Sequence, residues 1–153
     1  ETNVLKRYIN AAEKFKLKHI VRITADCPFV DPYLIDKMTK NYFKFKFDYI
    51  SNVNPPSFPN GFDIEIFSLK LAKKSLYTFN DKMNKEHVTY AIRDREMNKI
   101  LKVKSYNFLC NKKLNHIRLT LDTLNDLKII KKLVKKININ DDWKKIYLKY
   151  KDL

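Results

Sequence analysis

The sequence predicts an α/β fold, a sheet at least partly parallel and covered by helices. Two observations carry that reading. Apolar stripes at helical spacing alternate along the chain with short β-rich runs, the pattern of helices packed on a sheet. The hydrophobic fraction of 44% and aromatic fraction of 13% then mark a packed globular protein rather than a disordered tail. The 153 residues suffice for one domain with a real core and are too few for two, so a single domain is expected over 1–153.

The elements follow in order. Residues 3–17 carry Val4, Leu5, Tyr8, Ile9, Ala12 and Phe15 at helical spacing, with Asn3 as the cap. His19 to Thr24 (HIVRIT) is a short strand that ends in the turn A-D-C-P. Asp31-Pro32 reads as the cap and first residue of a helix that turns Leu34, Ile35, Met38 and Tyr42 inward. Asp48 to Asn52 (DYISN) is a second strand, followed by the loop N-P-P-S-F-P-N-G, which holds Gly61, the single glycine of the chain. Phe62 to Phe67 (FDIEIF) alternates apolar and acidic residues and predicts a half-exposed strand. Helices are expected over about 68–79 and 83–95, and strands over 99–106 (KILKVKSY) and His116 to Leu121 (HIRLTL). A helix over about 123–137 places Leu124, Leu127, Ile130, Leu133 and Ile137 on one stripe, and a short helix surrounds Trp143 and Ile146.

Composition narrows the function classes. No apolar run approaches the roughly 20 residues that a membrane helix needs. Cys27 and Cys110 form no C-x-x-C pair, which argues against a disulfide framework and for a reducing cytoplasm. No base neighbours Cys27 in sequence, so it reads as a small buried thiol rather than a nucleophile. The net charge of +15 invites a nucleic-acid reading. Of the 32 basic residues, however, 27 are lysines spread along the whole chain, whereas base readout and phosphate clamps favour the arginine fork. A specific nucleic-acid partner is therefore not expected, and a lysine-rich binder stays as an alternative.

Several residues can carry chemistry. Asp26 follows HIVRIT and Asp122 follows HIRLTL, and in open α/β sheets the carboxyl ends of strands line the ligand crevice. Two carboxylates meeting there can hold Mg²⁺, which takes a few carboxylate oxygens and leaves its other positions to water and phosphate. The competing reading is capping, and Thr123 with Asp126 already resembles a capping box. Arg22 and Arg118 each lie four residues before one of these aspartates and can pair with a carboxylate or phosphate. Asp63 and Glu65 share one face of their strand, where solvent exposure is the ordinary explanation. Glu86 and His87 fall early in a predicted helix, where glutamate suits the dipole whatever its function.

The first helix has no strand before it, and one glycine cannot build a backbone phosphate cradle. A strand and a phosphate loop are therefore expected ahead of Glu1.

At this point the motifs resemble a known family. E-T-N-V-L-K-R-Y, V-R-I-T-A-D-C-P-F-V-D-P-Y-L-I-D, Y-I-S-N, N-G-F-D-I-E-I-F, K-E-H-V-T and H-I-R-L-T-L-D-T-L-N-D-L occur in the order found in cytidylyltransferases of the spore coat polysaccharide type. Those enzymes are similar to the acylneuraminate and deoxy-manno-octulosonate cytidylyltransferases. The resemblance runs to about Ile137, with R-I-T-A-D-C-P and L-T-L-D-T its most specific parts. It implies a three-layer nucleotide-diphospho-sugar transferase (Rossmann-like) fold with a mixed sheet. It implies CTP and an acidic or acylated sugar as substrates, transfer of CMP with release of pyrophosphate, and a homodimer. Asp26 and Asp122 become the Mg²⁺ ligands and catalytic residues. Asp63, Glu65, Glu86 and His87 become acceptor-sugar residues, with Arg22 and Arg118 as further binding candidates. The chain departs from the family's D-T-P-E-D, carrying Leu124 and Asn125 where Pro and Glu stand. The family's basic loop A-R-x-x-S-x-R-x-P-x-K, which grips the CTP phosphates, is not among these residues, so the chain resembles the C-terminal portion and is expected to turn over little alone. A catalytically inactive remnant of the fold is the rival reading.

Overall fold

The computed structural model describes residues 3–153; Glu1 and Thr2, which open the first of the family motifs, lie outside them. Helices α1 (Val4–Lys14) and α2 (Pro32–Lys44) flank strand β1 (His19–Arg22), and β2 (Tyr49–Ser51) and β3 (Glu65–Ser68) follow. Then come α3 (Leu69–Thr78), α4 (Lys82–Glu86), α5 (Tyr90–Arg93), α6 (Arg95–Leu101), β4 (Ser105–Asn107), α7 (Leu124–Val134) and α8 (Trp143–Lys151). The sheet order is β1-β3-β2-β4. The Leu69 N–H donates to the Lys18 carbonyl and Asn52 N–H to Ile64, so β3 runs antiparallel to β1 and to β2. Asp48 N–H donates to Lys104 and Phe108 N–H to Ser51, so β2 and β4 run parallel. The sheet is mixed, as expected.

By contacts the chain divides into two compact units. The first takes in the chain up to Val21, Tyr42–Ile50 and Ile66–Tyr106. Its core joins Leu5, Ile9 and Ala12 of α1 to Phe67, Leu71, Ala72 and Ile92, all of them buried. The second takes in Arg22–Asn41, Ser51–Glu65 and Asn107–Leu153. Within it, buried Asn52 closes a local ladder with its side chain: Nδ2 donates to the Phe62 carbonyl at 2.7 Å and Oδ1 accepts from Ile64 N–H at 2.8 Å. Asn60 forms a parallel bridge to Arg118, and Leu119 N–H donates to the Asn60 carbonyl at 2.8 Å.

Caps placed by sequence are found in place. Asn3 Oδ1 accepts from Lys6 N–H at 2.9 Å, and Asp31 Oδ1 accepts from Tyr33 and Leu34 N–H at 2.8 and 3.3 Å. Thr123 and Asp126 form a complete capping box on α7.

Five expectations change. FDIEIF is not half-exposed: β3 is an interior strand, Ile64 through Phe67 are buried, and Glu65 is 1% exposed because it is paired. The helix expected over 83–95 breaks into α4, α5 and α6, each new start capped or turned. KILKVKSY alternates like a strand, yet Asp94 caps Glu96 and Met97 N–H and carries helix to Leu101, leaving β4 as the later strand. HIRLTL is not a strand: among the described residues it forms a single isolated bridge, at Arg118. Leu124 is 78% exposed at the first turn of α7, outside the apolar stripe that Ile130 and Leu133 bury.

Candidate active site

Four side chains of the second unit interact at the ends of β1 and β3. The β1–β3 register pairs Lys18 with Leu69, which sets Arg22 directly opposite Glu65. Their ion pair, Arg22 Nη1 to Glu65 Oε2, explains how a glutamate can be buried in an interior strand. Arg22 Nε is buried and has no hydrogen-bond acceptor. Asp63, two residues before Glu65, is half-buried. Burial pushes its pKa up, the Glu65 charge adds to the rise, Gly61 N–H opposes it, and Asp26 and Arg22 act more weakly in opposite directions. Three carboxylates, Asp26, Asp63 and Glu65, are thus electrostatically coupled around one guanidinium.

Cys27 lies among these groups and is quiet. Its Sγ is 3.1 Å from Thr24 Oγ1, and burial, assisted by the Asp63 and Asp26 charges, pushes the thiol pKa up. A raised thiol is the opposite of an activated nucleophile.

The second aspartate arrives on the HIRLTL segment. Leu121 N–H donates to the Asp26 carbonyl at 2.8 Å, so the residues leading to Asp122 run beside Asp26. Gly61 permits that course: with φ +111°, a Cβ there would sit 2.8 Å from the Leu119 carbonyl carbon and oxygen. Arg118 pairs with Asp122 and bidentately with Asp126, at 3.2 Å from Nε and 3.2 Å from Nη2. Those bonds, with N–H groups of Asp122 and Thr123, hold the Asp126 carboxyl well below the ordinary carboxylate range. Arg118 is thus engaged by its own segment rather than turned to a substrate.

The sequence-predicted residues therefore fall in two places. The second unit brings together Arg22, Asp26, Asp63 and Glu65, with Asp122 and Arg118 on the adjoining segment. Glu86 and His87 belong to the first unit, are exposed, and stand at the end of the five-residue α4, so no dipole argument favours that glutamate. Sequence reasoning did not assign Asn52 or Asp126 to the site's framework. The Arg118, Asp122, Asp126 spacing of four and four was the available signal.

The residues fit Mg²⁺ in kind. No group of three or more potential metal-binding side chains occurs among the described residues. Mg²⁺ needs only one or two carboxylates with phosphate and water. The Leu121–Asp26 backbone bond runs the Asp122 segment past Asp26, and the Asp122 carboxylate itself is paired with Arg118.

An α/β fold alone does not fix a function, and comparison with known proteins supplies the family. A cytidylyltransferase family model matches residues 1–152, and the chain belongs to that family. It is 34% identical over 148 residues to an uncharacterized protein of Methanocaldococcus jannaschii, covering 95% of this chain and 58% of that one. It is 31% identical over 142 residues to the spore coat polysaccharide biosynthesis protein SpsF of Bacillus subtilis, covering 93% and 58%. A cytidylyltransferase structure from Leptospira borgpetersenii superposes with a TM-score of 0.89 at 25% identity, covering 99% of this chain and 63% of that one. The chain thus spans rather less than two thirds of the proteins it matches.

Proposed function

We propose that this chain contributes the divalent-ion and acceptor side of an enzyme that transfers CMP from CTP to a sugar, in the making of a surface polysaccharide. The observation that carries the reading is the backbone bond from Leu121 N–H to the Asp26 carbonyl, which brings the turn after β1 and the segment leading to Asp122 together. The family match supports the transferase chemistry, and the name of the Bacillus relative supports the polysaccharide. Asp26 and Asp122 are the residues to hold Mg²⁺, which when bound supplies neutralisation of charge on the triphosphate. In the reaction a sugar hydroxyl forms a bond to the α-phosphorus, loses its proton, and pyrophosphate departs. Asp63, held near Gly61 N–H, serves as acceptor for a sugar hydroxyl, and Glu65 orients Arg22 so that its remaining donors meet substrate oxygen.

The test is pyrophosphate release from CTP and candidate acidic sugars, by a longer protein that includes this chain and by the 153 residues alone. Turnover is expected from the longer protein and little from these residues, since each phosphate hydrogen bond a basic loop supplies is worth about 1.5–3 kcal/mol. Asp26→Asn and Asp122→Asn should each weaken Mn²⁺ binding, read by water relaxation, about tenfold or more. Unchanged ion binding in both variants defeats the metal assignment. Robust turnover by the isolated residues, lost in Asp26→Ala, defeats the incompleteness.

A further inference from the structure

The second unit contains a cavity of about 570 Å³ that none of the candidate active-site residues lines. That volume is in the range of small-molecule pockets. Three rings build its apolar wall. Phe58, 4% exposed, meets Trp143 edge-on with centroids 5.0 Å apart and stacks on Phe108 at 6.3 Å. Three lysines from three different segments complete the lining: Lys37 on α2, Lys112 after β4, and Lys144 on α8. Lys37 Nζ stands 5.5 Å over the Phe108 ring and Lys144 Nζ 5.9 Å over Trp143. Among the described residues none of the three ammonium groups is in an ion pair.

The carboxylates of the lining are already committed. Asp31 Oδ1 caps α2, and its Oδ2 accepts from Trp143 N–H at 3.0 Å. Asp142 Oδ1 caps α8 through Lys145 N–H at 2.9 Å. Both negative charges are thereby offset by helix N-termini, and the lysine charge is not. A rim of separate point charges without a guanidinium fork suits phosphate, which needs no bidentate geometry. The ring wall suits a flat or cyclic body.

We propose that this cavity binds an organic phosphate with a ring-shaped body, a nucleoside phosphate or a sugar phosphate, at a site separate from the carboxylate cluster. The site stands whether or not the catalytic assignment does.

Trp143 is the single tryptophan of the chain, so its emission reports on this cavity alone. The experiment titrates the chain with CMP, a hexose phosphate, cytidine and inorganic phosphate, in EDTA so that divalent-ion chemistry is silent. A saturable change in emission is expected with CMP or the hexose phosphate at millimolar or lower concentration. Cytidine and inorganic phosphate should bind at least about tenfold more weakly. If CMP is the tighter, the ligand is the nucleoside phosphate; if the hexose phosphate is, it is the sugar phosphate. Lys37→Gln with Lys144→Gln should weaken binding about tenfold or more, and Lys128→Gln on α7 should not. Lys112→Gln gives an independent reading should the double variant unfold. Asp26→Asn should leave this binding unchanged. No saturable change with either ring phosphate, equal binding of inorganic phosphate or cytidine, or indifference to the lysine substitutions overturns the proposal.

Discussion

Asp63 shows how one side chain ties the site to stability. Burial and the Glu65 charge raise its pKa above the ordinary carboxylate value of 3.8, so the folded chain holds the proton more tightly than the unfolded one. The resulting stabilisation is fully present below that ordinary value and is lost as pH rises through the raised one. Asp63→Asn cannot ionise. In EDTA it should be more resistant to urea than the parent at pH 7, with the advantage shrinking towards pH 4; an advantage that grows on acidification contradicts the burial argument. Gly61 ties the site to the backbone instead. Gly61→Ala combines a strained φ with contact on the Leu119 carbonyl, and urea titration should show a loss of about 3 kcal/mol or more. The acidic candidates and the arginines were legible as residue types in their segments. What the sequence could not show was which of them are neutralised internally. Burial of Glu65 depends on the strand register that sets Arg22 opposite, and that is a long-range fact.

At the scale of elements, three helices end in the same unusual way. After α1, α2 and α6 the chain turns through Lys16, Lys46 and Lys102, with φ of 54°, 51° and 51°. In each case the next N–H reaches back five residues: Leu17 to Ala12, Phe47 to Tyr42, Val103 to Asn98. These are Schellman ends, where glycine is the usual residue because a Cβ is strained in the left-handed region. Lys46→Gly should therefore raise stability by about 0.5–1 kcal/mol by urea titration, the relief of left-handed strain exceeding the entropy glycine adds to the unfolded chain. A destabilised Lys46→Gly removes the strain argument. The same lysines explain why element boundaries were the poorly legible part of the fold. A lysine gives no stop signal, so the first helix was expected to reach residue 17 and in fact ends at Lys14. Long amphipathic helices with side-chain caps, α1, α2, α7 and α8, could be read directly from spacing. HIRLTL could not, because its alternation reflects burial of Ile117 and Leu119 while its hydrogen bonds go to Asn60 on one side and Asp26 on the other. Such a segment has a strand's pattern without a ladder.

For the whole molecule the dominant quantity is charge, which composition alone fixes at +15. A surface of scattered lysines attracts any polyanion by releasing its counterions, and that attraction carries no sequence information. Of the five arginines, two, Arg22 and Arg118, are held by carboxylates of the second unit. The lysine-rich binder and the sugar nucleotidyltransferase therefore make opposite predictions about salt. If the charge is only a solvated coat, duplex DNA should bind at 50 mM salt irrespective of sequence and lose on the order of a thousandfold or more in affinity by 200 mM. Fluorescence anisotropy with two unrelated duplexes measures both properties. Affinity that survives 200 mM salt and separates the two duplexes requires base contacts, which scattered lysines do not make, and it favours the nucleic-acid reading over the solvated coat.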